Sequence, residues 1–271
     1  MQLKFSVLLS VYYKEQPDFL FQSLNSIFSQ TLLPNEVVLV KDGSLFNELE
    51  SVIDTYQKKY SNLKIISLST NQGLGKALNE GLKYCSYDLV ARMDTDDIAK
   101  SNRFEKQIKV FKEYPEMDIC SSWIEEFEGV NDNVLSTRKL PEYHHAIIEY
   151  AKKRCPINHP VVMFRKSAVL KAGGYKHFPL FEDYYLWIRM LMNGAKFYNI
   201  QESLLYFRFS PEMFKRRGGW KYAMDELHFQ WMLKQEHFIS TFEFLRNVAI
   251  RFSTRIVPNS WRTFIYKKML R

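Results

Sequence analysis

The 271-residue chain predicts an α/β fold, a mostly parallel central sheet with helices on both faces, followed by a C-terminal helical extension. Three observations lead there. Through the first hundred residues, short apolar runs of strand length alternate with runs of helical apolar spacing, the pattern of a sheet covered on both sides. With 46% hydrophobic and 15% aromatic residues, 10 Gly and 9 Pro, the composition is that of a folded domain and excludes disordered, collagenous and low-complexity chains. From Gly219 onward the sequence reads as helix, interrupted at Pro258.

The elements follow in order. Phe5 to Tyr12 is the first strand; Lys14-Glu15 ends its apolar run and no small-residue cleavage site follows, so it is a buried strand and not a secretory leader. Pro17 to Gln30 places Leu20, Leu24, Ile27 and Phe28 on one helical face. Glu36 to Val40 is the second strand, closed by the turn Asp42-Gly43-Ser44. Leu49, Val52, Ile53, Tyr56 and Tyr60 again have helical spacing, and Leu63 to Leu68 is the third strand. Asn71-Gln72-Gly73-Leu74-Gly75 forms a loop, Lys76 to Tyr84 a helix, and Tyr87 to Met93 the fourth strand. Beyond Asp97 the alternation loosens. Arg103 to Phe111 and Glu142 to Lys152 read as helices, Met117 to Phe127 and Val161 to Phe164 as extended chain, and Ala172-Gly173-Gly174-Tyr175 as a turn. Glu182 to Met192 is an aromatic-rich helix, and Ala195 to Phe209 two short extended pieces.

Cys85, Cys120 and Cys155 are odd in number and form no Cys-x-x-Cys, which predicts reduced thiols in a cytosolic protein. No apolar stretch approaches the roughly 20 residues that span a bilayer. The net charge of +8 is concentrated in the tail: residues 1–210 carry 26 basic and 25 acidic side chains, residues 211–271 carry 12 and 5. There Arg246, Arg251, Arg255, Arg262, Lys267, Lys268 and Arg271 interleave with apolar residues, and Lys215-Arg216-Arg217 precedes them. Such a mixture suits helices lying on an anionic membrane surface. A solvated helix packed on the domain is the plainer alternative. No nucleic-acid motif accompanies the charge.

The strongest chemical signal is Ala91-Arg92-Met93-Asp94-Thr95-Asp96-Asp97, three carboxylates at the end of an apolar strand. Clustered acids repel one another and resist burial unless a cation joins them, and hard oxygen ligands suit Mg²⁺ or Mn²⁺ bridging to phosphates. Aspartates in this position also cap helices. Ligands of open α/β sheets bind beyond the carboxyl ends of the strands. Tyr12-Tyr13, Asp42-Gly43-Ser44, Asn71-Gln72-Gly73 and Asp94-Thr95-Asp96 all stand at such ends and together line one nucleotide-sized cleft, although each turn alone is an ordinary turn.

At this point the chain resembles the family 2 inverting glycosyltransferases of the GT-A fold, particularly bacterial members that build capsular, exopolysaccharide and O-antigen chains. The likeness is carried by Ser6 to Tyr12, Ser26 to Thr31, Glu36 to Ser44, Asn71 to Asn79, Asp94-Thr95-Asp96-Asp97, Pro156-Ile157-Asn158-His159-Pro160, Gly173-Gly174-Tyr175 and Glu182 to Trp187, in order over about residues 5–210. The resemblance implies that Ser10 and Tyr12 contact the uridine, Asp42 hydrogen-bonds the uracil, and Lys76 lies near the base or phosphates. Asn71 and Gly73 complete the nucleotide side, Asp94 contacts ribose or sugar, Asp96 holds Mn²⁺ or Mg²⁺ on the diphosphate, and Asp183 is the general base. Lys41 is a departure, since many members carry an acidic residue there.

The resemblance further implies a UDP-sugar donor, an acceptor saccharide on polyprenyl diphosphate, and residence in the cytoplasm, peripheral at the inner face of the cell membrane. Residues 1–210 are then the catalytic domain (1–97 for the nucleotide, 98–210 for the acceptor) and 211–271 a membrane-associating tail. Smaller candidates remain open between function and structure: His159 as a metal ligand or a strut, Arg165 and Arg189 on a diphosphate or in internal pairs, and Tyr184, Tyr185 and Trp187 on a sugar or in the core. A dinucleotide oxidoreductase is disfavoured because Tyr12-Tyr13-Lys14-Glu15 stands where a Gly-x-Gly-x-x-Gly turn belongs. A nucleotidyltransferase lacks its glycine-rich phosphate loop at the same place. A catalytically silent nucleotide-sugar binding module is the remaining rival, opposed by intact Asp94, Asp96 and Asp183.

Overall fold

A computed structural model describes residues 3–129, 133–209 and 219–256. The chain divides into two compact units, Met1–Ile148 with Cys155–Arg208, and Glu149–Arg154 with Phe209–Arg271.

The first unit holds β1 (Phe5–Val11), α1 (Pro17–Phe28), β2 (Glu36–Asp42), α2 (Asn47–Lys59), β3 (Leu63–Leu68), α3 (Leu74–Tyr84), β4 (Leu89–Arg92) and β5 (Ile98–Ala99). After them come α4 (Arg103–Glu113), β6 (Ile119–Phe127), β7 (Val134–Arg138), α5 (His144–Ala151, its residues from Glu149 on counted in the second unit), β8 (Met163–Arg165), α6 (Lys166–Lys171), α7 (Glu182–Met192) and β9 (Phe197–Arg208). The strands form one sheet in the order β3-β2-β1-β4-β8-β6-β9-β5, with β7 paired to β6. Its β3-β2-β1-β4 half is parallel, as the βαβ alternation requires. β8 joins antiparallel to both β4 and β6, while β9 lies parallel to β6.

Side chains of β1 alternate between two cores. Val7, Leu9 and Val11 pack with Leu20, Leu24 and Ile27 of α1, Leu49 and Ile53 of α2, and Phe104 and Ile108 of α4. On the other face, Leu8, Val38 and Val40 pack with Ala77, Leu78 and Leu82 of α3 and Leu186, Trp187 and Met190 of α7. The sheet is therefore sandwiched, and its polar strand ends are the places left to bind.

Several elements differ from their expectation. Ala195 to Phe209 forms one strand instead of two pieces: the register passes from Ser122↔Ile200 to Trp123↔Ser203, so Gln201 and Glu202 bulge outward and interrupt the apolar alternation without ending the pairing. β7 and α6 carry too little apolar periodicity to announce themselves. Helix α3 starts at Leu74 because Gly73, at φ +88°, turns the chain directly into it.

In the second unit, α8 (Trp220–Gln235) and α9 (Thr241–Ile256) pack as a hairpin. Asn247 Nδ2 donates to Gln230 Oε1 at 2.9 Å and to the Lys152 carbonyl at 2.7 Å, and Arg251 pairs with Glu226. Trp231 meets Phe244 edge-on at 5.8 Å with Lys234 over both rings. Among the described residues, no helix is long and apolar enough to cross a membrane. The basic residues Lys215-Arg216-Arg217, Arg262, Lys267, Lys268 and Arg271, and the side chain of Arg255, lie outside the described residues.

Candidate functional site

The carboxyl ends of β1, β2 and β4 lie side by side, because Leu8 pairs with both Val38 and Arg92. Asp42, the last residue of β2, is buried, and both its carboxylate oxygens accept backbone N–H groups of the following loop: Gln72 to Oδ1 at 2.7 Å and Gly73 to Oδ2 at 3.0 Å. Asn71 Nδ2 donates to the Asp42 carbonyl at 3.3 Å. A Cβ at Gly43 would stand 2.8 Å from the Asn71 nitrogen, so glycine is what lets the two turns touch. The structure thus brings Asp42, Asn71 and Gly73 together, with two of the roughly four carboxylate lone-pair sites engaged. Ser10 is half-buried at the end of β1, Tyr12 is exposed just beyond it, and Lys76 is exposed in the first turn of α3. Lys41, the departure from the family pattern, is tied to Glu50 at 2.7 Å.

The aspartate cluster follows β4. Ligand atoms of Asp94, Asp96 and Asp97 all lie within 4.8 Å of one another. Arg92, 1% exposed, pairs with Asp94, while its Nε and Nη1 find no hydrogen-bond partner among the described residues. Burial first, then the Asp94 and Glu15 carboxylates, push the Asp96 carboxyl up to about 7. Asp97 is wholly buried; burial and the neighbouring Asp96 and Asp94 charges drive it well above the usual carboxylate range. Its Oδ1 accepts the Arg208 backbone N–H at 2.8 Å, and among the described residues its Oδ2 has no partner. Carboxylates crowded this closely, raised by one another and in part unsatisfied, are the donor set that fits a divalent cation.

A second pair of acids begins α7. Glu182 Oε1 lies 3.0 Å from His177 Nδ1, in reach of its hydrogen bond, and a Cβ at Gly75 would come within 2.8 Å of Glu182 Oε2, so the bare first turn of α3 admits it. Asp183 is half-buried, with the Cys155 thiol 4.0 Å from its Oδ2. Behind it, His159 Nε2 meets the Tyr175 hydroxyl at 2.9 Å, and Asn79 clasps the Tyr175 backbone from both sides at 2.7 and 2.8 Å. Burial and the Arg92 cation hold His159 well below its usual range, so the imidazole is neutral at pH 7.

The remaining candidates resolve structurally. Among the described residues the metal-capable group contains no histidine, and His159 is a strut between Tyr175 and Trp187. Arg165 donates to the Met117 and Pro115 carbonyls at 3.0 and 2.8 Å, opposite Leu89 at the far end of β4. Arg189 is buried, donates to the Ala172 and Gly174 carbonyls and lies over the Tyr185 ring. Tyr184 and Trp187 are core residues. Three residues escaped the sequence reading: Glu15, accepting from Thr95 Oγ1 at 2.6 Å; Arg92; and Arg208. Arg92 had a visible signal in its position two residues before Asp94. Glu15 and Arg208 are brought in by the fold from remote segments and had none.

The chain is similar to known proteins. The profile of Glycosyl transferase family 2 matches residues 6–173. The UDP-Gal:alpha-D-GlcNAc-diphosphoundecaprenol beta-1,3-galactosyltransferase of Escherichia coli is 43% identical over 268 residues, covering 99% of this chain and 97% of its own. S. aureus TarS 1–349 in complex with UDP-GlcNAc aligns with a TM-score of 0.67 at 17% identity, over 99% of this chain and 76% of that one. The mannosyltransferase PcManGT of Pyrobaculum calidifontis, in complex with GDP-Man and Mn²⁺, aligns with a TM-score of 0.67 at 14% identity, over 97% and 72%. At such identities the two structures share the fold with this chain.

Proposed function

The chain belongs to glycosyl transferase family 2, and on that premise we propose that it transfers a sugar from a UDP-sugar to a saccharide carried on polyprenyl diphosphate, with inversion, in bacterial surface polysaccharide assembly. The observation that carries the proposal is the crowded Asp94-Asp96-Asp97 group at the same sheet end as Asp42 and the Asn71–Gly73 loop. The relationship to the E. coli galactosyltransferase supports the donor and acceptor classes.

In this scheme residues 1–97 bind the nucleotide. Tyr12 offers its exposed ring to the base, Ser10, Asp42, Asn71 and Gly73 shape the uridine side, and Lys76 attracts the phosphates. Asp94 faces ribose or sugar, oriented by Arg92, and Asp96 is the carboxylate that holds Mn²⁺ or Mg²⁺. A cation there supplies Lewis-acid stabilisation of the charge developing on the departing diphosphate. Residues 98–210 receive the acceptor. Asp183 takes the proton of the acceptor hydroxyl as its oxygen bonds to the anomeric carbon and the bond to UDP breaks; one displacement inverts the centre. Such a base is worth roughly 10²- to 10⁴-fold.

Residues 211–271 place the enzyme at an anionic membrane surface on the cytoplasmic side. Exposed Trp220, Met224 and Trp231 on α8 and Phe242, Leu245 and Ile250 on α9 support this, together with the basic excess. Equal recovery with neutral and phosphatidylglycerol vesicles would remove that part of the proposal.

The function is tested by UDP release from a panel of UDP-sugars with a GlcNAc-diphosphoundecaprenol acceptor, in Mn²⁺, Mg²⁺ or EDTA. One sugar turned over only with metal is the expected result. No turnover, and no UDP binding by calorimetry with metal present, overturns it.

A further inference from the structure

Arg208 is the last residue of β9, far in sequence from the aspartates, yet its backbone and side chain close the turn that carries them. Its backbone N–H donates to Asp97 Oδ1 at 2.8 Å and its Nε to the Asp96 carbonyl, also at 2.8 Å. The guanidinium is anchored on its other sides: Nη1 donates to the Gly129 carbonyl at 3.1 Å, Nη2 to Gln22 Oε1 at 2.7 Å, and the plane lies between the rings of Phe19 at 3.9 Å and Phe127 at 4.6 Å. Every one of these partners belongs to the first unit.

Two arginines therefore stand at the cluster with different duties. Arg92 pairs with a carboxylate, that of Asp94. Arg208 makes no ion pair among the described residues; its side chain holds the Asp96 carbonyl and its backbone N–H the Asp97 carboxylate, while aromatic rings and Gln22 hold the guanidinium. A planar fork with several fixed donors suits that task and an ammonium does not. Groups that orient ligands from behind are commonly worth 10- to 100-fold in metal affinity.

We infer that Arg208 is a positioning residue of the metal site, fixing the Asp96–Asp97 turn so that the Asp96 carboxylate is presented to the cation. The inference rests on the metal-dependent function proposed above. Charge and geometry make opposite forecasts here. Removing a positive charge beside a cation site should tighten divalent binding by Coulomb's law. Removing a strut should weaken it.

The test is Mn²⁺ binding to the full-length protein with UDP, by titration calorimetry and by the loss of free Mn²⁺ signal in electron paramagnetic resonance, for wild type, Arg208→Gln and Gln22→Met. Thermal unfolding of each metal-free protein reads the fold separately. Arg208→Gln is expected to weaken Mn²⁺ roughly 10- to 100-fold. Its metal requirement for UDP release should rise in step, with kcat largely restored at saturating Mn²⁺. Gln22 is exposed, so Gln22→Met keeps the fold while freeing one side of the guanidinium, and about a threefold weakening is expected, less than for loss of the guanidinium itself. Unchanged or tighter Mn²⁺ binding in both variants overturns the inference while leaving the metal reading intact. Absence of Mn²⁺ and Mg²⁺ binding to the wild type overturns both. Should Arg208→Gln fail to fold, Gln22→Met decides alone.

Discussion

One buried acid and a cluster of acids occupy opposite ends of the same parallel sheet, and they are built in opposite ways. At the amino end of β2, Glu36 accepts from Ser6 Oγ at 2.5 Å, Lys64 Nζ at 2.6 Å, Ser86 Oγ at 2.9 Å and the Ser86 backbone N–H. Burial alone would raise its carboxyl, but the bonds from Lys64, Ser6 and Ser86 override that and hold it below the usual carboxylate range. Beyond the carboxyl end of β4, Asp96 is raised by burial and by the Asp94 and Glu15 charges, Asp97 by burial and by the Asp96 and Asp94 charges, and among the described residues Asp97 Oδ2 has no partner. A carboxylate whose lone pairs the fold has filled is a structural joint. One left raised and unfilled marks where something positive is to bind.

The largest effects should fall on the acids of the proposed active site. Asp183→Asn keeps the size of a half-buried side chain and removes only its basicity, so kcat should fall roughly 10²- to 10⁴-fold with the thermal midpoint unchanged. A variant that lost stability together with activity would move Asp183 into the structural class. Asp96→Ala should lower kcat about 10²- to 10³-fold, the usual cost of removing one electrostatic stabiliser of a leaving group. Because Asp96 is raised in part by the Asp94 and Glu15 charges, the same substitution relieves repulsion and should leave the metal-free protein as stable as wild type or more so. A clear loss of stability there would break the contrast with Glu36.

Glu36→Gln is the converse experiment. Several donors lose their anionic acceptor at once, and stability should drop by about 2 kcal/mol in urea unfolding at pH 7, with activity per folded molecule preserved. The sign with pH follows from the lowered carboxyl: its contribution is full above the ordinary value of 4.5 and is lost as pH falls through the lower folded value. The gap between wild type and Glu36→Gln should therefore narrow on acidification below about pH 4.5. A gap that stayed constant would mean the loss comes from packing and not from the ionised pair.

The sequence made the two ends legible to different degrees. Strand Leu63–Leu68 and helix Glu182–Met192 were readable to the residue because each is a continuous run of one apolar period. The bulge at Gln201-Glu202 was not, since a ladder can absorb two outward residues that a periodicity reading takes for a break. Asp94, Asp96 and Asp97 announced themselves as charge out of place after an apolar strand, whereas Glu36, opening another, reads as an ordinary exposed strand end until Ser6, Lys64 and Ser86 are seen around it. Arg208 reaches Asp97 across 111 residues and Glu15 reaches Thr95 across 80, separations at which no local pattern carries information. The motif around His159 leaves it open between ligand and strut, and only its packing against Tyr175, with the imidazole held neutral by burial and Arg92, favours the strut.

The smallest effect is the most direct comparison of the two ends, because both are read in one titration. Asp96 titrates near 7 in the metal-free fold against 3.8 for an ordinary aspartate, so its ionisation opposes folding above the ordinary value, and fully so above pH 7. As pH falls from 8 to 5 the folded state takes up the proton first and that penalty is relieved, so the metal-free thermal midpoint should rise by roughly 2 °C, about what 1 kcal/mol is worth in a chain of this size. Asp96→Asn should flatten the rise, and saturating Mn²⁺ with UDP should abolish it, since a bound cation supplies the charge that protonation otherwise cancels. Below pH 4.5 the trend should reverse as the Glu36 joint is lost. A metal-free midpoint that did not rise between pH 8 and 5, in wild type as in Asp96→Asn, would mean that the aspartate cluster is already compensated without a cation, and the distinction between filled and unfilled acids would fall.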